Sequence, residues 1–427
     1  MRICIIGAGY VGLTTAAVLS DLGHKVRCVD RDETKINALE QGVIPIFEPG
    51  LSELVVRNRK EGRLTFSSDV AASMDEHELI MIAVGTPSAA DGSADLVYVR
   101  SVLLAVSTVL HTHKVIIMKS TVPPGTGVWA EEFLLGLGVP GTLFDIVSNP
   151  EFLREGTAIH DTLNPDRIVI GSRSVDAAEK VRAIYNGIEA ETVWTGQTEA
   201  ELIKYGSNAF LATKLSFVNE LARVCDVFGA DIMQVAEGIG KDTRIGGKFL
   251  QAGIGYGGSC LPKDVSALIG AASSRKIGLE LLREVAAVNA SQPDYYIGKL
   301  EKSLGRLDSE VKVAVLGATF KENTDDLRYS QAIELMKRLA ARGCAVTAYD
   351  PLVSPALPGV VWAKSAADAA TGAHALIVAT GWKEFVDADW NQLRQKMSGT
   401  IVMDGRNVLN PTKVREAGLT YVGLGRI

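Results

Sequence analysis

Cysteine is scarce in this sequence. Five thiols are spread over 427 residues, and no two of them are closely spaced. That excludes a disulfide framework and a zinc site built on cysteine pairs, and it suits a reducing compartment. A basic excess is also missing. Fifty acidic residues against 44 basic ones leave a net charge of −6, so the chain lacks the positive face that non-specific nucleic-acid binding needs. No apolar run reaches the ~18 residues of a membrane-spanning helix. Met1-Arg2 leads straight into Ile3-Cys4-Ile5-Ile6, too short a stretch for a secretory signal, and the expected location is the cytoplasm. Short repeats and low-complexity tracts are absent as well. Glycine, by contrast, is plentiful: 42 residues, about 10% against roughly 7% in an average protein. The length predicts two to three domains.

The first thirty residues predict one βαβ unit. Arg2–Ile6 is a β-branched run, Leu13–Leu22 has helical spacing closed by Gly23, and Lys25–Val29 is a second strand ending at Asp30. Further apolar runs at 79–84, 115–119, 144–147 and 167–170 alternate with helical stretches. That alternation implies a parallel sheet covered on both faces. From Glu199 to Phe228 there is no proline and one glycine, with apolar residues at helical spacing, so one long helix is expected. The stretch 267–289 is expected to be helical too. At Val311 the βαβ pattern restarts, with strands at 311–316, 345–349, 375–379 and 400–403 and a helix at 330–341. The expected architecture is α/β: two Rossmann-like parallel-sheet domains, residues 1–195 and 301–427, joined by a long central helix and a helical middle segment, 196–300.

Gly7-Ala8-Gly9-Tyr10-Val11-Gly12 fits G-x-G-x-x-G between a strand and a helix. Gly7 allows the tight turn, Gly9 lets backbone approach a pyrophosphate, and Gly12 lets helix and strand pack closely. The free N–H groups of the helix start then face the phosphates. Asp30, 18 positions past Gly12, is placed to accept from both ribose hydroxyls. Its charge repels a 2′-phosphate, which favours NAD over NADP. Val84–Pro87 and Lys119–Gly125 also follow strands. They belong either over the cofactor or to ordinary turn chemistry.

Cys4, Cys28, Cys225 and Cys344 lie among apolar residues and read as buried. Cys260 differs. It stands in Gly253-Ile254-Gly255-Tyr256-Gly257-Gly258-Ser259-Cys260-Leu261-Pro262-Lys263-Asp264. Pro262 suits a helix start, and a thiol at a helix start beside Lys263 has the setting of a nucleophile. A buried loop cysteine fits the same residues.

The chain resembles the UDP-glucose/GDP-mannose dehydrogenase family over nearly its whole length. The matching stretches are Gly7–Gly12, Val84–Pro87, Lys119–Gly125, Asn149–Gly156 (NPEFLREG), Pro165–Gly171, Gly253–Asp264 and Gly317–Arg328. Pro165-Asp166-Arg167 looks more like the UDP-glucose branch. The resemblance implies a two-step oxidation of a sugar CH2OH to a carboxylate with two NAD, making UDP-glucuronate from UDP-glucose. Siblings act on GDP-mannose or a UDP-N-acetyl-hexosamine. It also implies that Cys260 captures the aldehyde as a thiohemiacetal, that oxidation gives a thioester, and that water releases the acid. A thiol is chemically apt, because an aldehyde has no good hydride to give until a nucleophile adds to it.

The same resemblance assigns the remaining roles. Lys204 and Asn208, i and i+4 on the long helix, stabilise the oxyanion at C6. Asp264, with Thr121 and a water, handles the proton of the first oxidation. Glu151 activates the hydrolytic water. Gly7, Gly9, Tyr10, Val11, Gly12, Asp30, Lys35, Thr86, Thr121, Glu155, Lys263 and Arg328 bind NAD. The nucleotide sugar takes Glu151, Phe152, Leu153, Arg154, Glu155, Lys204, Asn208, Phe249, Leu250, Gln251, Ala252, Gly253, Gly257 and Lys321. No metal is implied. Glu322 and Gly381 depart from the family pattern, which commonly has a proline and an acid there. The long helix carries Phe210, Phe217 and Leu221. They are either core or the interface of a homodimer or higher homo-oligomer.

Overall fold

The computed structural model describes residues 1–89 and 91–426. The chain forms two compact units, Met1–Ser207 with Ser266–Ile277, and Asn208–Val265 with Gly278–Ile427. The helical middle segment is thus shared between them.

The first unit is built on eight strands: β1 (Arg2–Ile6), β2 (Lys25–Val29), β3 (Leu64–Ser67), β4 (Leu79–Ile82), β5 (Lys114–Met118), β6 (Phe144–Ser148), β7 (Arg167–Ser172) and β8 (Glu191–Thr195). They lie in the order β3-β2-β1-β4-β5-β6-β7-β8. The central strands are apolar because both faces are covered: every residue of β4 and β5 is buried. Burying each such Val, Ile or Leu contributes about 1.5–3 kcal/mol. The expectation of a parallel sheet needs one correction. β6 and β7 pair antiparallel, with Val147 opposite Ser172 and Ser148 opposite Gly171. Their connection, residues 149–166, holds the Asn149–Gly156 loop and the short helix Ala158–Leu163.

The second unit carries β9 (Lys312–Leu316), β10 (Ala345–Tyr349), β11 (Val360–Trp362), β12 (Ala375–Val378), β13 (Ile401–Asp404) and β14 (Thr420–Val422), in the order β11-β10-β9-β12-β13-β14 and all parallel. This repeats the order of the first six strands of the other sheet. Both sheets therefore reverse direction beside their first strand, β1 against β4 and β9 against β12. Such a switch point opens a crevice at the carboxyl ends of the strands.

The long helix is real and runs from Gln197 to Phe228. The expected helix at 267–289 is instead two, Leu261–Ser273 and Glu280–Leu304. Between them Lys276 takes φ +61°, a left-handed conformation that ends a helix. On the long helix, Phe210 and Phe217 are 64% and 50% exposed within the single chain, whereas Leu221 packs on the core of the second unit. Among the described residues, no helix is long and apolar enough to cross a membrane.

Candidate active site

The G-x-G-x-x-G turn leaves β1 and enters the helix Tyr10–Asp21. A Cβ on Gly12 would fall 1.8 Å from the Gly7 carbonyl oxygen, so only glycine lets this helix sit against the turn. At Gly9 a Cβ would meet nothing within 4 Å. The side of the turn where a pyrophosphate belongs is open. Gly9 is the N-cap, no side chain caps the helix, and its first turn has no acidic residue. Its unsatisfied N–H groups and positive dipole end are available to an anion.

Asp30, at the end of β2, accepts from the Ala8 N–H at 3.0 Å and from Lys35 Nζ at 2.9 Å. Burial works against its charge. Hydrogen bonds from Lys35, Ala8 and Asp32 outweigh that, and the carboxyl is held below its usual range. A permanent negative charge at this place suits ribose hydroxyls and opposes a 2′-phosphate. The residues present therefore fit NAD. Val11 lies on the first turn of the helix, half-buried.

The loops after β4 and β5 are tied together. Thr86 Oγ1 donates to the Thr121 carbonyl at 2.8 Å, and Ser120 Oγ donates to the Val84 carbonyl at 2.7 Å. Both lie at carboxyl ends of strands, β4 flanking the switch point and β5 next to it, on the side of the sheet that a bound dinucleotide requires.

After β6 the chain enters Asn149–Gly156. Glu151 Oε1 accepts from Lys204 Nζ at 2.9 Å, while its Oε2 accepts the Leu153 N–H at 2.8 Å. Both side chains of the ion pair are almost wholly buried. Lys204 Nζ is also 5.3 Å from the centre of the Phe152 ring, and the Arg167 guanidinium stands 3.8 Å over the same ring. Two cations thus lie within cation–π distance of Phe152. Arg154 is engaged by Asp161 through two parallel bonds of 2.9 and 2.7 Å. Glu155 is buried.

In the second unit Cys260 directly precedes the helix Leu261–Ser273. Its carbonyl accepts the Asp264 N–H at 2.8 Å, so Cys260 stands at the helix N-terminus, where a thiolate is favoured. Among the cysteines it alone is not buried. Burial pushes the Cys4 thiol up to about 12 and raises Cys28, Cys225 and Cys344 as well. Those four are poor nucleophiles. Asp264 is 1% exposed; its Oδ2 accepts from Asn208 Nδ2 at 2.6 Å, and Lys263 Nζ forms an ion pair with its Oδ1 at 2.9 Å.

The glycine-rich stretch before Cys260 has a different explanation from the one its composition suggested. A Cβ on Gly257 would lie 2.3 Å from the Tyr329 carbonyl oxygen, and one on Gly258 would lie 2.7 Å from the Phe320 ring. The close neighbour is the chain itself. Sequence reading missed the groups that hold this loop. Asn219 Oδ1 accepts the Gly253 N–H, Asn289 bonds both the N–H and the carbonyl of Tyr256, and Arg406 Nη1 donates to the Gly255 carbonyl. These partners come from distant helices and strand ends, so no local pattern marks them. Just upstream, Leu250 and Ala252 are buried, Gln251 is exposed, and Phe249 takes φ +63°. A bulky residue in that region is uncommon and signals a constrained segment. Lys321 is half-buried, and Arg328 pairs with Asp326 at 2.7 Å. The two departures from the family pattern are neighbours. A Cβ on Gly381 would lie 3.4 Å from a Glu322 carboxylate oxygen, so an acid at 381 would crowd the one at 322.

Fold and site together define a dinucleotide-dependent dehydrogenase with a half-buried thiol at a helix N-terminus. Three family profiles match the chain in succession: "UDP-glucose/GDP-mannose dehydrogenase family, NAD binding domain" at residues 1–189, the central domain at 198–291, and the UDP binding domain at 314–411. A UDP-glucose 6-dehydrogenase of Rhizobium meliloti is 43% identical, covering 100% of both chains. The solved UDP-glucose dehydrogenase of Pyrobaculum islandicum superposes with a TM-score of 0.93 at 36% identity, covering 100% of this chain and 98% of that one. The UDP-D-ManNAc dehydrogenase of Pyrococcus horikoshii gives a TM-score of 0.89 at 28% identity, covering 100% and 99%. The chain belongs to the UDP-glucose/GDP-mannose dehydrogenase family and is an NAD-dependent oxidoreductase acting on nucleotide sugars.

Proposed function

We propose that the protein oxidises UDP-glucose at C6 to UDP-glucuronate, with Cys260 as the covalent nucleophile. Residues 1–195 hold the dinucleotide, 301–427 hold the UDP part, and 196–300 supply Lys204 and Asn208 from the N-terminal half of the long helix and Cys260 and Asp264 from the start of the helix Leu261–Ser273. The observation that carries this reading is Cys260 at a helix N-terminus, with Asp264 one turn on and Asn208 bonded to it.

NAD, when bound along Gly7–Gly12, Asp30, Lys35, Thr86, Thr121, Glu155, Lys263 and Arg328, supplies the hydride acceptor. In the first oxidation Asp264, assisted by a water held at Thr121, takes the proton of the C6 hydroxyl. The Cys260 thiolate then adds to the aldehyde carbon. Lys204 and Asn208 donate to the oxygen that becomes negative, a contribution that is worth about 2.7–4 kcal/mol per donor in comparable sites. The second oxidation leaves a thioester. Glu151 takes a proton from the attacking water, the carbon–sulfur bond breaks, and the thiolate is restored. Phe152–Arg154 and Phe249–Gly253, with Gly257 and Lys321, line the sugar nucleotide.

A UDP-N-acetyl-hexosamine is the second reading, supported by the likeness to the Pyrococcus structure. Initial rates of NADH formation with UDP-glucose, UDP-N-acetylmannosamine and GDP-mannose separate the two. UDP-glucose is expected to give the highest kcat/KM, and no turnover of it would overturn the assignment. We further propose a cytoplasmic homo-oligomer whose interface covers Phe210 and Phe217.

A further inference from the structure

Glu48 is a buried carboxylate outside every motif considered above. It is 6% exposed and lies in a loop ahead of the helix Leu51–Lys60. Its Oε2 accepts the Gly156 N–H at 2.6 Å and also the Tyr10 hydroxyl; its Oε1 accepts the Ala158 N–H at 2.7 Å. Tyr10 Oη in turn accepts from the Gly156 N–H at 2.9 Å. Burial, then the Glu48 hydrogen bond, raises the phenol well above its ordinary range. Tyr10 keeps its proton and donates a hydrogen bond to Glu48.

The two ends of this bridge are distinct parts of the site. Tyr10 is the first residue of the helix that follows the G-x-G-x-x-G turn. Gly156 closes the loop that carries Glu151 and Glu155. The rest of that loop is anchored elsewhere, Glu151 on Lys204 and Arg154 on Asp161. Glu48 is what fastens its last residue to the phosphate turn. A carboxylate is needed rather than an amide, because three donors converge on its two oxygens and a glutamine would turn an N–H toward one of them.

We propose that Glu48, through Tyr10, is a positioning residue that locks the Glu151–Glu155 loop to the dinucleotide turn, so that a bound cofactor and the loop carboxylates share one geometry. The inference rests on the proposed roles of Glu151 and Glu155. It concerns how those carboxylates are set, not which sugar is oxidised.

Three variants test it: Tyr10→Phe, Glu48→Gln and the double. NADH affinity is read by fluorescence titration without sugar, turnover by steady-state kinetics, and folding by thermal melting. Tyr10→Phe deletes one hydroxyl and keeps the ring, so it remains informative if Glu48→Gln does not fold. The expected result is NADH binding weakened about 5-fold or more and kcat lowered about 10-fold in folded protein. The double variant should be no worse than Glu48→Gln alone, since the two groups act as one unit. Folded Tyr10→Phe with NADH affinity and kcat within 2-fold of the parent overturns the proposal, as do effects that multiply in the double variant. Should UDP-glucose itself not be oxidised by the parent protein, the substrate assignment falls, while the NADH titration still decides the role of Glu48.

Discussion

Lys204 and Glu151 form an ion pair of 2.9 Å whose side chains are 4% and 6% exposed. A pair so deeply buried is held by mutual compensation: each charge is tolerable only beside the other. Both also have proposed chemistry, Lys204 over the oxyanion and Glu151 on the hydrolytic water. On that proposal, structural and catalytic demands meet in one contact.

Lys204→Met leaves Glu151 without its counter-charge. Breaking one side of such a pair costs about 3–5 kcal/mol of stability, and losing an oxyanion donor lowers kcat about 100- to 1,000-fold. Lys204→Met/Glu151→Gln should recover much of the melting temperature and none of the activity. Denaturant melts and initial rates on the three proteins check both halves.

We propose that cofactor choice turns on Asp30. Replacing it with alanine removes the ribose acceptor and the negative charge that opposes a 2′-phosphate, while leaving Lys35 nearby. The KM for NAD should rise about 10-fold or more, since a charge-assisted hydrogen bond contributes about 1.5–3 kcal/mol. The ratio of kcat/KM for NADP to that for NAD should rise in parallel. An unchanged ratio would remove Asp30 from cofactor selection.

Acid should destabilise the fold through two buried histidines. Burial lowers the affinity of His24 and His77 for protons more than their backbone partners, the Ile184 and Ser73 carbonyls, raise it. Both are below their ordinary value when folded. The unfolded chain then binds more protons, so stability is full above about pH 6.5 and falls as pH drops from there toward the folded values. Melting temperature against pH should slope downward below about 6.5, and His77→Gln should flatten the slope. A profile that is level from pH 7 to 5 contradicts this.

Much of the fold was legible in the sequence because its inner strands are buried on both faces and read as unbroken apolar runs. The strands that escaped detection are β3, β8, β11 and β14, and they are the four sheet edges. Edge strands are short and covered less completely, as the exposed Val361 and Trp194 illustrate, so no apolar run marks them. The same division holds at the site. Cys260, Asp264 and Asn208 follow from local spacing and motif. Asn219, Asn289, Arg406 and Glu48 do not, because each acts on a backbone group 27 to 151 positions away: Asn219 on Gly253, Asn289 on Tyr256, Arg406 on Ala379 and Gly255, and Glu48 on Gly156. The glycines before Cys260 were legible as a signal but not as a cause. Their crowding partners, Tyr329 and Phe320, come from the following domain.

The Cys260 thiol carries the proposed reaction. With limiting UDP-glucose and excess NAD, the amount of NADH formed at completion should be two per sugar, with UDP-glucuronate the product. The Cys260→Ser protein should form far less, and mass spectrometry should find its sugar held as an ester or stalled after one oxidation. One NADH per sugar from the parent protein, or two from an unmodified Cys260→Ser protein at full rate, would contradict the covalent route.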